Sequence, residues 1–245
     1  SFHPLLIGGN PFSVTAAYAL INALERNWGV HSAMGGTGAI VQGLVGLLKG
    51  RGIELHLNAP VQRILVENGQ ACGIELGSGE TVRSDIVVSN GDTAWTYKNL
   101  IDARHRRHWS DRRIERGRYS MGLLVWYFGT RKRYEGVPHH MLVLGPRYKG
   151  LLQDIFKRHV LADDFSLYLH RPTATDTSLA PDGCDAFYVL SPVPHQDSGI
   201  DWEAAAPEYE NRILTALEKT HMPGLRDNLV TRFSLDPRYF AGRLR

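Results

Sequence analysis

Residues 61–76 constrain this chain more tightly than any other stretch. Asn68-Gly69 lies between two runs that alternate apolar and polar residues, one from Val61 to Val66 and one through Cys72, Ile74 and Leu76. Asn and Gly accept the positive φ that a two-residue hairpin loop requires, so the stretch predicts an antiparallel β-hairpin. Gly77-Ser78-Gly79 makes a second turn directly after it. A lone hairpin is marginal in water, so its stability depends on what packs around it.

The flanking sequence supplies both helices and strands. Val14, Ala17, Tyr18, Ile21, Leu24 and Trp28 recur at three- and four-residue steps, which predicts a helix over 13–28 with Ser13 as its N-cap and Gly29 as its stop. Gly35-Gly36-Thr37-Gly38 opens a second helix with a buried stripe of Ile40, Val41, Leu44, Val45 and Leu48, closed by Gly50. Ile53, Leu55 and Leu57 alternate with Glu54 and His56 as a strand. Ile86-Val87-Val88 reads as a strand covered on both faces. Strands are further expected at Met121–Phe128, Phe165–His170 and Ala186–Ser191, with a short helix at Gly150–Phe156. Glu203–Lys219 is a helix whose inner face carries Tyr209, Ile213, Leu214 and Leu217, and Pro223-Gly224 ends that region. The order of elements points to an α+β fold with a mixed sheet.

Size and composition narrow the function. At 245 residues and 43% hydrophobic, the chain can bury a sizeable core, enough for one large domain or two interleaved ones. No apolar run approaches the length of a membrane span. The start has no signal peptide and no initiator Met, so Ser1 reads as the beginning of a segment cut from a longer protein. Cys72 and Cys184 are far apart, which argues against a dithiol or disulfide framework and for a reducing cytoplasm. A net charge of +3 does not call for nucleic acid.

Three constellations could carry chemistry. The Gly35-Gly36-Thr37-Gly38 turn before a helix either lets backbone approach a flat anionic ligand or is simply a tight turn. It is not a phosphate loop, and no G-x-G-x-x-G fingerprint occurs anywhere in the chain. Arg104, Arg106, Arg107, Arg112, Arg113, Arg116 and Arg118 crowd one short stretch with His105 and His108, which suits anionic lipid or a solvated helix face. Nucleic acid is disfavoured, because only Trp109 is interleaved for stacking. His139-His140 is the third. Neighbouring residues of a strand point to opposite faces, so the two are not expected to share an ion, and no metal is predicted. The acids Asp163, Asp164 and Asp176 have no evident base beside them.

Taken together, a longer series of segments resembles the bacterial phytoene desaturase family. Gly8-Gly9-Asn10-Pro11-Phe12, Tyr18-Ala19-Leu20-Ile21, Gly35-Gly36-Thr37-Gly38-Ala39 and Val41-Gln42-Gly43 come first. His139-His140, Gly145-Pro146-Arg147-Tyr148, the run Asp164–His170, Ser178-Leu179-Ala180-Pro181, Pro192-Val193-Pro194-His195 and Met222-Pro223-Gly224-Leu225-Arg226 follow in the family's order. Each is weak alone; jointly they span nearly the whole chain.

The resemblance implies a fold similar to flavin amine oxidases and a desaturation that extends the conjugation of phytoene or a related polyene. It implies FAD in a full-length parent, held by an N-terminal G-x-G-x-x-G unit and a C-terminal glycine-rich segment that both fall outside this match. No FAD is expected on this chain alone. By the same resemblance, residues 1–34 are a helical part of the substrate domain, 35–92 a returning segment of the FAD-binding domain, and 93–245 the substrate domain. Val61, near the adenine end, with Gly35 and Gly36, would be the cofactor contacts. Val125, Trp126, Tyr127 and Phe128 would line an apolar tunnel for the polyene. Arg106, Arg107, Arg112 and Arg113 would touch the cytoplasmic face of the inner membrane, where a water-insoluble substrate resides. The resemblance names no catalytic acid or base and no oligomeric state. A carotenoid isomerase, another polyene oxidoreductase, or a free-standing isoprenoid- or partner-binding module are the competing readings.

Overall fold

Antiparallel pairing runs through both sheets of the computed structural model, which describes residues 7–243. The chain divides into two units. One comprises residues up to Val45 together with Ser120–Tyr239; the other comprises Gly46–Tyr119 and the chain from Phe240 onward. The α+β class expected from the order of elements is the one observed.

The second unit is built on the hairpin. Strands β1 (Val61–Glu67) and β2 (Gln70–Leu76) pair in antiparallel register, with Glu67 opposite Gln70 across the turn. Asn68 and Gly69 both take positive φ, 51° and 79°, as a tight hairpin of this hand requires. β3 (Thr81–Arg83) adds to β2 beyond the second turn. A Cβ at Gly73 would run into the Val82 carbonyl of the neighbouring strand. Helix α3 (Thr93–Leu100) follows, its first turn capped by the Asp92 carboxylate, which accepts from the Trp95 amide at 2.8 Å.

The first unit carries the larger core. Five strands lie in the order β5-β6-β7-β4-β8: β4 (Gly122–Thr130), β5 (His140–Val143), β6 (Leu167–His170), β7 (Asp185–Val193) and β8 (Leu229–Leu235). β4 and β7 pair without a break from Gly122 opposite Val193 to Thr130 opposite Asp185. Because side chains alternate, Leu124, Trp126 and Phe128 share a face with Phe187, Val189 and Val193, and with Leu167 and Leu169 of β6. That face is closed by helix α6 (Trp202–Thr220), whose Trp202, Ala206, Tyr209, Ile213, Leu214 and Leu217 are buried on it. Asp201 caps α6 by accepting from the Glu203 and Ala204 amides. One buried ionic knot ties the loops beneath: Asp185 accepts from the Tyr134 amide, from Arg171 Nε at 2.9 Å and from the Thr173 hydroxyl.

Several sequence expectations are corrected. The first helix, α1 (Ala19–Trp28), starts later than expected; Thr15, not Ser13, caps a short 3-10 turn over Ala16–Tyr18 that leads into it. The stripes of α1 and of α2 (Thr37–Gly50) are not buried: Trp28 is 68% exposed, and Ile40, Val41 and Leu44 are exposed as well. Ile53–Leu57 and Ile86–Val88 form no strands, since the described residues offer them no ladder partner, and Leu57 lies in a turn; Leu57 and Val88 are almost fully exposed. The arginine-rich stretch is not one helix face. It consists of a 3-10 turn at Ala103–His105 and helix α4 (Asp111–Glu115). The helix near Gly150 is α5 (Tyr148–Gln153), continued by a π turn over Asp154–Arg158.

Candidate functional site: the open face of the five-stranded sheet

The pleat that buries Trp126 and Phe128 turns the intervening residues to the opposite face. There Leu142, Tyr168, Tyr188, Leu190, Pro192 and Leu123 line a cavity of about 310 Å³, with Met121 and Leu144 at its sides. The lining is apolar apart from two phenol hydroxyls and Ser166. Met121 also packs against Leu151 of α5 and Ile155, which fixes one wall. The aromatic surface continues across β4, where Tyr127 stacks on Phe233 at 4.8 Å and tilts against Tyr188 at 5.6 Å. Such a surface suits a flat or extended apolar ligand.

The four tunnel candidates of the sequence therefore divide. Trp126 and Phe128 stack on each other at 4.3 Å inside the α6 core. Val125 and Tyr127 turn to the other face, paired across strands with Leu190 and Tyr188 beside the cavity, although Val125 itself is buried.

At the end of the same face three imidazoles meet. His140 lies opposite His170 in the β5–β6 register, and His170 packs its ring 4.5 Å from Tyr188. His139 precedes β5, so strand alternation does not govern it, and its ring stacks 4.3 Å from that of His140. The ground for expecting the two to diverge is thus removed. His139 Nε2 is 2.9 Å from His170 Nε2, its Nδ1 meets the Thr175 hydroxyl, and His140 Nδ1 meets the Tyr168 hydroxyl at 2.6 Å. Burial, with His139 and His140 alongside, holds His170 down at about 4. Burial lowers His140 as well, and it drives the Tyr168 phenol well above its ordinary value. His170 and the Tyr168 phenol are therefore neutral at pH 7. The sequence did not signal this meeting, because His170 reaches His140 only through strand register.

The other candidates are dispersed. Gly35 and Gly36 have φ of 82° and 78°, and the Gly35 amide donates to Asp176 Oδ2 at 2.7 Å. The Ser178 hydroxyl, and then the Gly35 amide, hold that carboxyl below its ordinary range. Asp176 so occupies the amide that a ligand phosphate would use. Val61 opens β1, an edge strand, and borders a cavity with Ile64, Ile74 and Val82. A strand edge offers main-chain groups, and among the described residues the Gly35–Gly36 turn assembles no free amide cradle of the kind that holds a pyrophosphate. Of the four basic candidates, Arg107, Arg112 and Arg113 are exposed, and Arg113 lies over the Trp109 ring. The Arg106 side chain is only 7% exposed and donates to Asp111 at 2.6 Å.

Comparison with known proteins gives this geometry a context. No family model matches the chain. A neurosporene-forming phytoene desaturase of Cereibacter sphaeroides is 46% identical over 99% of the chain and 48% of its own length. A lycopene-forming phytoene desaturase of Pseudescherichia vulneris is 45% identical over 100% of the chain and 50% of its own length. A zeta-carotene-forming phytoene desaturase of Myxococcus xanthus is 36% identical over 99% of the chain. The chain spans about half the length of the curated relatives it matches. Among solved structures, an oxidoreductase of Methanosarcina mazei superposes with a TM-score of 0.64 at 19% identity, over 90% of this chain and 47% of that one. A putrescine oxidase gives 0.55 at 12% identity, over 86% and 40%. These two establish the fold.

Proposed function

We propose, from the premise that this chain is related end to end to bacterial phytoene desaturases, that it is part of an FAD-dependent carotenoid desaturase. The reaction would remove hydrogen from phytoene or a near relative and lengthen its conjugated system. The observation that carries the reading is the 46% identity maintained over 99% of the chain. FAD, bound mainly by segments beyond this match, would accept the hydride. This chain's share is to bind and orient an apolar chain, and the open face with Leu142, Tyr168, Tyr188 and Leu190 supports that role, with Val125 and Tyr127 extending it.

Residues 35–92 would return to the FAD-binding domain, with 1–34 and 93–245 in the substrate domain. Val61 would then touch the adenine end through its backbone. Gly35 and Gly36 would shape the approach rather than bind phosphate, given the contact between Gly35 and Asp176. The uncovered stripes of α1 and α2 fit a larger protein whose other segments pack on them. A substrate insoluble in water calls for a peripheral position on the cytoplasmic side of the inner membrane. No helix among the described residues is long and apolar enough to cross one. Arg107, Arg112 and Arg113 are the contacts of choice, because Arg106 is engaged with Asp111.

Full-length protein loaded with FAD and given phytoene in liposomes tests the proposal. Appearance of products absorbing at longer wavelength supports it and their chromatography fixes the number of steps. Isomerised but equally saturated product, or none from a well-folded flavoprotein, overturns it.

A further inference from the structure

Three imidazoles gather at the end of the open face, where polyene binding has no use for them. We propose that His139, His140 and His170 bind one divalent transition-metal ion of the zinc class. One ring nitrogen from each lies within 4.8 Å of the others. Zinc–nitrogen bonds of about 2.0–2.1 Å in a tetrahedral site put ligand nitrogens roughly 3.3 Å apart. The 2.9 Å between His139 Nε2 and His170 Nε2 therefore has to open by only a few tenths of an ångström.

The other ring nitrogens are already arranged for ligation. His139 Nδ1 is held by the Thr175 hydroxyl and His140 Nδ1 by the Tyr168 hydroxyl. With the proton on Nδ1 and an oxygen accepting it, His139 turns its Nε2 lone pair toward His170 and His140 keeps its Nε2 as the ligand atom, the tautomer that orients histidine ligands in metal sites. Among the described residues His170 Nδ1 has no hydrogen-bond partner, so the Nε2 proton that bridges His170 to His139 can be carried on Nδ1 once a metal ion takes its place. Metal binding then replaces the single hydrogen between two facing lone pairs. Glu25, which favours positive charge at His140, adds attraction for a cation.

Three imidazoles without a carboxylate select zinc, copper or nickel over magnesium or calcium. His140 is exposed, so a fourth position faces solvent for water or a ligand. The inference rests on the histidine geometry alone and stands whether or not the chain serves a desaturase.

The whole protein, dialysed against EDTA, is titrated with Zn²⁺ by calorimetry and with Co²⁺ by visible absorption. One saturable equivalent is expected, with cobalt bands of a four- or five-coordinate nitrogen site. H139A and H170A should each weaken Zn²⁺ binding by at least about a hundredfold, and T175A by about tenfold through loss of the oxygen that orients His139. H221A, remote from the cluster in sequence and outside it, should bind as the parent does. If H170A fails to fold, the exposed H140A and T175A carry the test. No saturable equivalent in the parent, or an affinity that H139A, H140A and T175A leave unchanged, overturns the proposal.

Discussion

The two faces of the five-stranded sheet both carry large apolar side chains and meet different fates. On one, Leu124, Trp126, Phe128, Leu169, Phe187 and Val189 meet α6 and are essentially fully buried. On the other, Leu142, Tyr168, Tyr188 and Leu190 surround open volume, and Leu142 stays 38% exposed. A single period-2 pattern makes both, since each strand sends alternate side chains to each side. Hydrophobic composition therefore does not separate a residue that holds the fold from one that receives a ligand. What separates them is whether the chain itself returns a helix to cover the residue. The polar groups differ as well. The core face admits Ser191 only with its hydroxyl bonded to Tyr209 at 2.8 Å, whereas the open face keeps histidines and phenols at its rim.

Mutations that weaken either face sharpen this contrast. The largest effect is expected from W126A, which leaves a cavity under α6 and should cost about 4 kcal/mol of unfolding free energy in denaturant titration. Next comes the pH response of the metal-free protein. His170 titrates at about 4 when folded, against an ordinary value of 6.5, with His139, His140, Tyr168 and Tyr188 around it. Between those values the unfolded chain binds the extra proton, so stability falls as pH drops from 6.5 toward 4 and is unaffected by this group above 6.5. The slope for one proton is at most about 1.4 kcal/mol per pH unit, and H170Q should flatten the curve by part of that amount. Smallest of the three, L142A should cost less than about 1 kcal/mol, because its side chain is already partly in water. A penalty for L142A as large as that for W126A would erase the distinction between the faces.

The sequence made local features legible and left those that depend on distant partners obscure. Asn68-Gly69 carries its own turn chemistry, and the hairpin followed as expected. α6 was readable because its stripe is long and strictly periodic. Ile53–Leu57 and Ile86–Val88 have strand-like patterns, but a strand exists only with a neighbour, and among the described residues they have none. β8 went unnoticed because Thr231, Arg232 and Ser234 break its apolar run, as befits an edge strand paired only with β4. Reading Val125–Phe128 as one lining ignored the alternation that divides the run between two faces. The histidine cluster required the pairing of His140 with His170 and the displacement of His139 from the strand, neither of which residue spacing encodes.

The central claim, that the open face receives the polyene while the closed face holds the fold, is tested most directly at Leu190, a wall of the cavity on the strand whose neighbour Val189 is fully buried in the core. Full-length protein carrying L190E, loaded with FAD, is assayed on phytoene in liposomes alongside the parent, with thermal unfolding followed on the same samples. A carboxylate set against a hydrocarbon ligand has no partner to offset its desolvation, so the account predicts conversion reduced by at least about tenfold with an unfolding midpoint close to the parent's. Undiminished conversion by a normally folded L190E protein would contradict it.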